Sequence, residues 1–152
     1  MPRHVQLGNG VVVPYPEPTS PSRSNVGRSN LRCNTKPEIA LRSELHRRGL
    51  RFRRDFFIRL DTVRVHVDIA FTRKRLAVFV DGCFWHSCPE HGTTPKSNTA
   101  YWKPKLESNR ARDLRVDTAL REAGWTVLRV WEHEPLLVSV DQVVTCLASL
   151  KI

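Results

Sequence analysis

No stretch of this sequence approaches the ~18 consecutive apolar residues of a membrane-spanning helix. Its opening, MPRHVQLGNG, also lacks the apolar core of a secretory leader. A membrane partner is therefore not expected, and the chain reads as cytoplasmic. Acidic residues are scarce: 15 Asp and Glu stand against 25 Lys and Arg, for a net charge of +10. That imbalance points to a polyanion as partner, nucleic acid before membrane. Cysteine is limited to four residues, and in a reducing compartment they do not form a disulfide framework. They remain available as metal ligands or as small buried apolar groups. Internal repeats are absent as well, which excludes a solenoid.

What remains fits one domain of 152 residues with its own core. Residues 1–34 show no amphipathic period. Pro14, Pro16, Pro18 and Pro21 lie there among Ser and Arg, with Arg23, Arg28 and Arg32 near the end. This reads as a flexible basic arm, either a solvated tail or a segment that orders along a DNA groove. The folded domain is expected over residues 35–152. Thr35 is a good N-cap, Pro37 suits a first helical turn, and Glu38 completes a capping box on the residues alone. Ile39, Leu41, Leu45 and Leu50 give the helix its apolar contacts, and Gly49 stops it.

A strand follows at residues 51–60, then a hairpin whose arms are 63–71 and 76–80, joined by the polar turn Thr72-Arg-Lys-Arg75. A long helix is expected over residues 101–123, with Pro104 in its first turn, a strand over 125–131 and a closing helix over 139–150. On the long helix, Asn109 and Asp113 fall on the same stripe as the apolar residues, so they are either held by neighbours or face a site. The order α-β-β-β-α-β-α describes a mixed sheet flanked by helices, an α/β fold.

The chemistry concentrates in residues 68–91, DIAFTRKRLAVFVDGCFWHSCPEH. Asp68 and Asp81 sit near the ends of adjacent strands, with Glu38 available from the first helix. Carboxylates so placed suit Mg²⁺, which takes one or two of them together with water and substrate phosphate. Such an ion activates water and offsets the charge of a phosphodiester transition state. His86, five residues beyond Asp81, has a side chain that can take a proton near neutral pH; a lone histidine is also commonly structural. Cys83, Cys88 and His91 form a compact Cys-x₄-Cys-x₂-His set, and His133, just past the last strand, is the best fourth ligand for Zn²⁺. The other reading is two buried free thiols. Phe84 and Trp85, with Trp102, are either core or a wedge that enters a base step.

The run Ala77-Val-Phe-Val-Asp-Gly-Cys-Phe-Trp-His86, followed by Cys-Pro-Glu-His91, strongly resembles the very-short-patch-repair (Vsr-type) DNA mismatch endonucleases. Thr35-Lys-Pro-Glu38, Tyr101-Trp102, Asn109 with Arg112-Asp113, and Trp131-Glu-His-Glu134 extend the similarity over roughly residues 33–134. The resemblance implies a restriction-endonuclease-like fold and a nick 5′ to the thymine of a T·G mismatch left by deamination of 5-methylcytosine. It further implies Asp68 as the central Mg²⁺ ligand, a backbone oxygen of Val80 on the same ion, His86 as general base and Glu38 as the acidic residue of the first helix. Cys83, Cys88, His91 and His133 correspond to a structural zinc site, and Phe84, Trp85 and Trp102 to the aromatic wedge, with Asn109 and Arg112 toward DNA.

Three positions depart from the pattern. Val67 stands where proline often precedes the catalytic aspartate. Asp81 stands where some members carry a catalytic histidine, and as an acid it suits the metal. Cys83 takes the place where related nucleases often have a lysine. The expected protein is a monomeric, Mg²⁺-dependent, zinc-stabilised nicking endonuclease on double-stranded DNA, associated with the nucleoid and cooperating with mismatch-repair proteins and a repair polymerase. A nuclease of the same fold attached to restriction–modification, and an inert zinc-stabilised DNA-binding module, are the alternatives.

Overall fold

The structure is a computed structural model and describes residues 3–15, 34–90, 92 and 96–151. Its elements, in chain order, are strands β1 (His4–Gln6) and β2 (Val12–Pro14), helix α1 (Lys36–Arg47), strands β3 (Arg53–Arg59), β4 (Arg64–Phe71) and β5 (Leu76–Asp81), helix α2 (Thr99–Glu122), strand β6 (Thr126–Trp131) and helix α3 (Leu136–Ser149). Four strands form one mixed sheet in the order β3-β4-β5-β6. The first three are antiparallel neighbours, as short turns require, and β6 lies parallel to β5 after the α2 crossover.

The sheet is covered on both faces. On one, Ile69, Phe71, Leu76, Val78 and Val130 pack with Leu41 and Leu45 of α1 and Val140, Val143 and Leu147 of α3. On the other, Val65, Val67, Ala70, Ala77 and Phe79 pack with Val116 and Leu120 of α2. Strict alternation would put Val65, Val67, Ile69 and Phe71 on one face. They divide instead, two to each side, and the change of face occurs at Asp68. The β3–β4 register passes from Arg54↔Ile69 to Phe56↔Val67 and leaves out the Asp55–Asp68 step, where Asp55 has a left-handed φ of 44°. On the other side of Asp68, the β4–β5 pairing stops at Ile69↔Val78. A local kink that re-aims a side chain is a recurring device beside active sites, and here it is Asp68 that is re-aimed.

Helix α1 ends as expected: Gly49 has φ 84°, and its N–H and that of Leu50 return to the carbonyls of His46 and Leu45. Its start differs. Thr35 is the N-cap but makes no side-chain capping bond, so the capping box is not formed and Glu38 is free for another role. Helix α2 begins two residues earlier than the sequence indicates, which puts Pro104 inside the helix rather than in its first turn. The stretch expected as an unstructured arm also differs. His4–Gln6 and Val12–Pro14 pair as a hairpin. Leu7 and Val13 are buried, and Tyr15 meets Tyr101 of α2 at 6.2 Å between ring centroids. Alternation over three residues was too short to read in the sequence. Arg23, Arg28 and Arg32 lie outside the described residues. Among the described helices, none is long and apolar enough to cross a membrane.

Candidate active site

The kink in β4 directs the Asp68 carboxylate across the opening between β4 and β5, where its Oδ2 accepts the Val80 N–H at 2.8 Å. Among the described residues Asp68 forms no ion pair, although the Val80 N–H and the charge of His86 draw its carboxyl downward. Burial, with the charges of Glu38 and Asp81 nearby, drives its carboxyl from 3.8 up to about 7. Glu38, only 2% exposed, comes from the inward face of α1 and is held by Arg42 at 3.1 Å. A desolvated carboxylate with one backbone donor, two acidic neighbours and no cation of its own is a donor set that fits a hard divalent ion. Asp68 and Glu38 would hold it, and its charge would offset the desolvation and the acidic neighbours that raise Asp68.

Asp81 is placed differently. Both of its oxygens accept from Nη1 of Arg129, at 3.0 and 3.2 Å, and Oδ1 lies 3.8 Å from Nδ1 of His86. Burial pushes Asp81 upward against the pull of His86 and Arg129. His86 in turn has Nδ1 2.6 Å from Oδ2 of Asp113. With Nδ1 committed to that carboxylate, Nε2 is the ring nitrogen left for a substrate or water. Burial lowers the affinity of His86 for a proton, but the hydrogen bond to Asp113 and the charges of Asp81 and Asp113 outweigh it, so the net shift is upward from 6.5. Asp113 belongs to a ladder along α2: Asn109 donates to the Trp85 carbonyl at 3.2 Å, Asp113 holds His86, and Asp117 accepts from Nε and Nη2 of Arg129 at 3.0 and 2.7 Å. Spacing of four residues brings all three to one helix face.

These geometries set a pH dependence. Asp68 keeps its proton up to about pH 7 in the metal-free protein, and a neutral carboxyl is a poor ligand. Simple competition between proton and cation makes divalent binding about tenfold weaker at pH 6 than at pH 8. Affinity for a hard divalent ion, read by Mn²⁺ titration, is therefore expected to rise about tenfold from pH 6 to pH 8. An affinity flat across that range would show that Asp68 does not titrate there.

A second cluster lies beside the first. Nδ1 of His133 is 3.1 Å from Sγ of Cys83 and 3.6 Å from Sγ of Cys88. The three ligand atoms fall within 4.8 Å of one another, and among the described residues this is the one group of three or more that does so. Nε2 of His133 is turned to Glu90, 3.3 Å away. A carboxylate on the far nitrogen is the usual way a ligating histidine is oriented. Burial and the adjacent Cys88 push the Cys83 thiol up to about 11; a divalent ion at the sulfur would favour the thiolate instead. The donor set, two sulfurs and an imidazole, fits zinc. His91 lies outside the described residues.

The aromatic residues join the two halves of the molecule. Phe84 and Trp85 are 5.0 Å apart, Phe84 and Trp102 5.3 Å, and Trp102 and Tyr101 4.9 Å. All four are half-buried, packed on one another and not within either sheet core. Arg112 is exposed on α2.

Arg129 and Asp117 were not found by reading the sequence, and Asp113 was placed on a stripe without a role. The one signal was an arginine inside the otherwise apolar strand TVLRVW.

The family model described as DNA mismatch endonuclease Vsr matches residues 18–90. The chain is 52% identical over 138 residues to the Type II nicking enzyme V.NaeI of Lentzea aerocolonigenes, covering 90% of this chain and 83% of that protein. It is 45% identical over 118 residues to the Type II nicking enzyme V.XorIIP of Xanthomonas oryzae pv. oryzae, covering 76% and 83%. It is also 33% identical over 115 residues to the DNA mismatch endonuclease Vsr of Escherichia coli, covering 73% and 69%.

Proposed function

Because the chain belongs to the Vsr family of DNA endonucleases, we propose that it is a strand-nicking enzyme that cuts double-stranded DNA 5′ to the thymine of a T·G mismatch, with Mg²⁺ at Asp68 and a structural Zn²⁺ at Cys83, Cys88 and His133, on a restriction-endonuclease-like fold. The observation that carries this reading is the half-buried Asp68, raised by desolvation and by the charges of the buried Glu38 and of Asp81, and without an ion pair among the described residues. Asp68 and Glu38, with the Val80 carbonyl, would hold the ion, which would supply Lewis-acid stabilisation to the scissile phosphate. His86, steadied at Nδ1 by Asp113, takes the proton of the attacking water at Nε2. His91, outside the described residues, would be the fourth zinc ligand.

The names of the more similar relatives, Type II nicking enzymes, favour one refinement: the mismatch is cut within the recognition sequence of an accompanying restriction–modification system, where methylated cytosines deaminate. Mismatch-repair proteins and a polymerase would act on the nick in the cytoplasm. A panel of duplexes carrying one T·G pair in different flanking sequences tests this. Nicking confined to one methylation context is expected; equal cutting in every context would remove the refinement.

Mismatch choice is assigned to Phe84, Trp85 and Trp102. A T·G wobble stacks less favourably than a matched pair, so a wedge opens that step at lower cost. Trp85→Ala is expected to lose most of the preference for T·G over matched DNA, since stacking contributes ~1–3 kcal/mol per base. Arg112 and the basic surface contact phosphate. With about six such contacts, log K falls against log salt with a slope near −5, which Trp85→Ala leaves unchanged. Full discrimination by this variant would make the aromatics a packing cluster and move recognition to Asn109.

A further inference from the structure

Five carboxylates converge at this end of the sheet: Glu38, Asp68, Asp81, Asp113 and Asp117. Glu38 has Arg42, and Asp68 has no ion pair among the described residues. The other three share Arg129. Its Nη1 takes both oxygens of Asp81 and stands 3.9 Å from Asp113, while Nε and Nη2 fork onto Asp117. All three guanidinium nitrogens are thus committed. The plane of the group rests on Phe79, with its central carbon 4.4 Å from the ring centroid. The strand register makes this possible. Phe79 is the parallel partner of Arg129 and Asp81 that of Trp131, so Phe79, Asp81 and Arg129 project to the α2 face, where Asp113 and Asp117 stand one turn apart.

We propose that Arg129 is a positioning residue of the nicking centre: it holds Asp81 as a paired anion away from the divalent ion, leaving Asp68 and Glu38 to bind that ion, and through Asp81 and Asp113 it fixes the ring of His86. Asp81 was expected from the sequence to be a ligand; the clamp gives it the role of a brace. A lysine cannot replace the arginine, because one ammonium is a point charge and cannot serve two carboxylates in a plane. The proposal rests on the nuclease reading for its consequence in catalysis, but not for the clamp itself.

The test uses the full zinc-loaded chain and Mn²⁺ as a hard-ion probe for the Mg²⁺ site, followed by electron paramagnetic resonance without DNA. Asp81→Asn is expected to bind Mn²⁺ within about twofold of the unaltered protein, and Asp68→Asn to weaken binding at least tenfold. Arg129→Lys is expected to lower kcat on a T·G duplex by about 10–100-fold with KM within twofold, a split that general loss of folded protein would not give. In melting experiments, Arg129→Gln is expected to lower Tm, and adding Asp81→Asn to recover part of the loss, because the unpaired buried anion is then removed. If Arg129→Gln does not fold, Arg129→Lys with and without Asp81→Asn gives the same comparison. A tenfold loss of Mn²⁺ binding in Asp81→Asn would make Asp81 a ligand and overturn the proposal, as would full kcat in Arg129→Lys. Resonance and melting read the clamp without any nicking. A protein that passes both yet cuts no duplex therefore refutes the nuclease reading and keeps the clamp.

Discussion

Asp68→Asn is expected to reduce nicking at least a thousandfold and, at the same time, to raise the melting temperature of the metal-free protein at pH 8. The first effect follows from the loss of the half-buried carboxylate proposed to hold the divalent ion. The second follows from its cost. Burial and two acidic neighbours raise the carboxyl from 3.8 to about 7, so between those values the folded protein holds a proton that the unfolded chain releases. Stability is then fully present below about pH 4 and is lost as pH rises through 7. A shift of this size corresponds to roughly 4 kcal/mol at pH 8, or a gain of several degrees in a domain of this length when the charge is removed. Asparagine keeps an acceptor for the Val80 N–H, so that donor does not lose its partner. Melting curves with and without Mg²⁺, beside a nicking assay, measure both effects. A variant that cuts at the normal rate would remove Asp68 from the centre, and one that melts lower at pH 8 would show that its carboxylate is not strained.

Cys88→Ala is expected to give insoluble or unfolded protein, whereas Cys146→Ala should fold. Cys88 is 3% exposed and its sulfur faces Nδ1 of His133 at 3.6 Å; Cys146 is half-buried on α3 and has no place in a ligand group among the described residues. Binding of structural zinc contributes about 10–16 kcal/mol in zinc-finger peptides, comparable to the whole stability of a domain. The loop from Gly82 to Glu90 forms no strand or helix of its own; α2 holds it at the Trp85 carbonyl and at His86, and the ion would tie its Cys83 and Cys88 ends to His133. Metal analysis of the purified protein should give one zinc per chain. Folded, zinc-free, active protein would remove the site.

Local signals carried much of this into the sequence. Apolar β5, bounded by a basic turn and Gly82, could only be a buried strand, and that placed Asp81 and the Cys83–His86 run at one edge of the sheet. Two thiols and a histidine within nine residues called for a fourth ligand, and His133 does stand over Cys83. What stayed hidden depended on contacts between distant elements. Glu38 looks like half of a capping box because Thr35 precedes it by three residues; only the packing of α1 on the sheet turns it inward toward Asp68. The change of face at Asp68 breaks the alternation by which strands are read, and it arises from a left-handed Asp55 thirteen residues earlier, with no glycine to announce it. Arg129 resembles an exposed residue in a half-buried strand until Asp81 and Asp117, 48 and 12 residues away, are brought around it by the α2 crossover.

The position of the cut tests the central claim most directly. Each strand of a duplex with a single T·G pair would be end-labelled in turn, with the same sequence carrying T·A as the control, and the products resolved to one nucleotide under single-turnover conditions with Mg²⁺. The expected product is one nick, in the thymine strand, immediately 5′ to the mismatched base, with the partner strand and the T·A duplex uncut. Equal cutting of T·G and T·A duplexes, or cleavage of both strands, would contradict it.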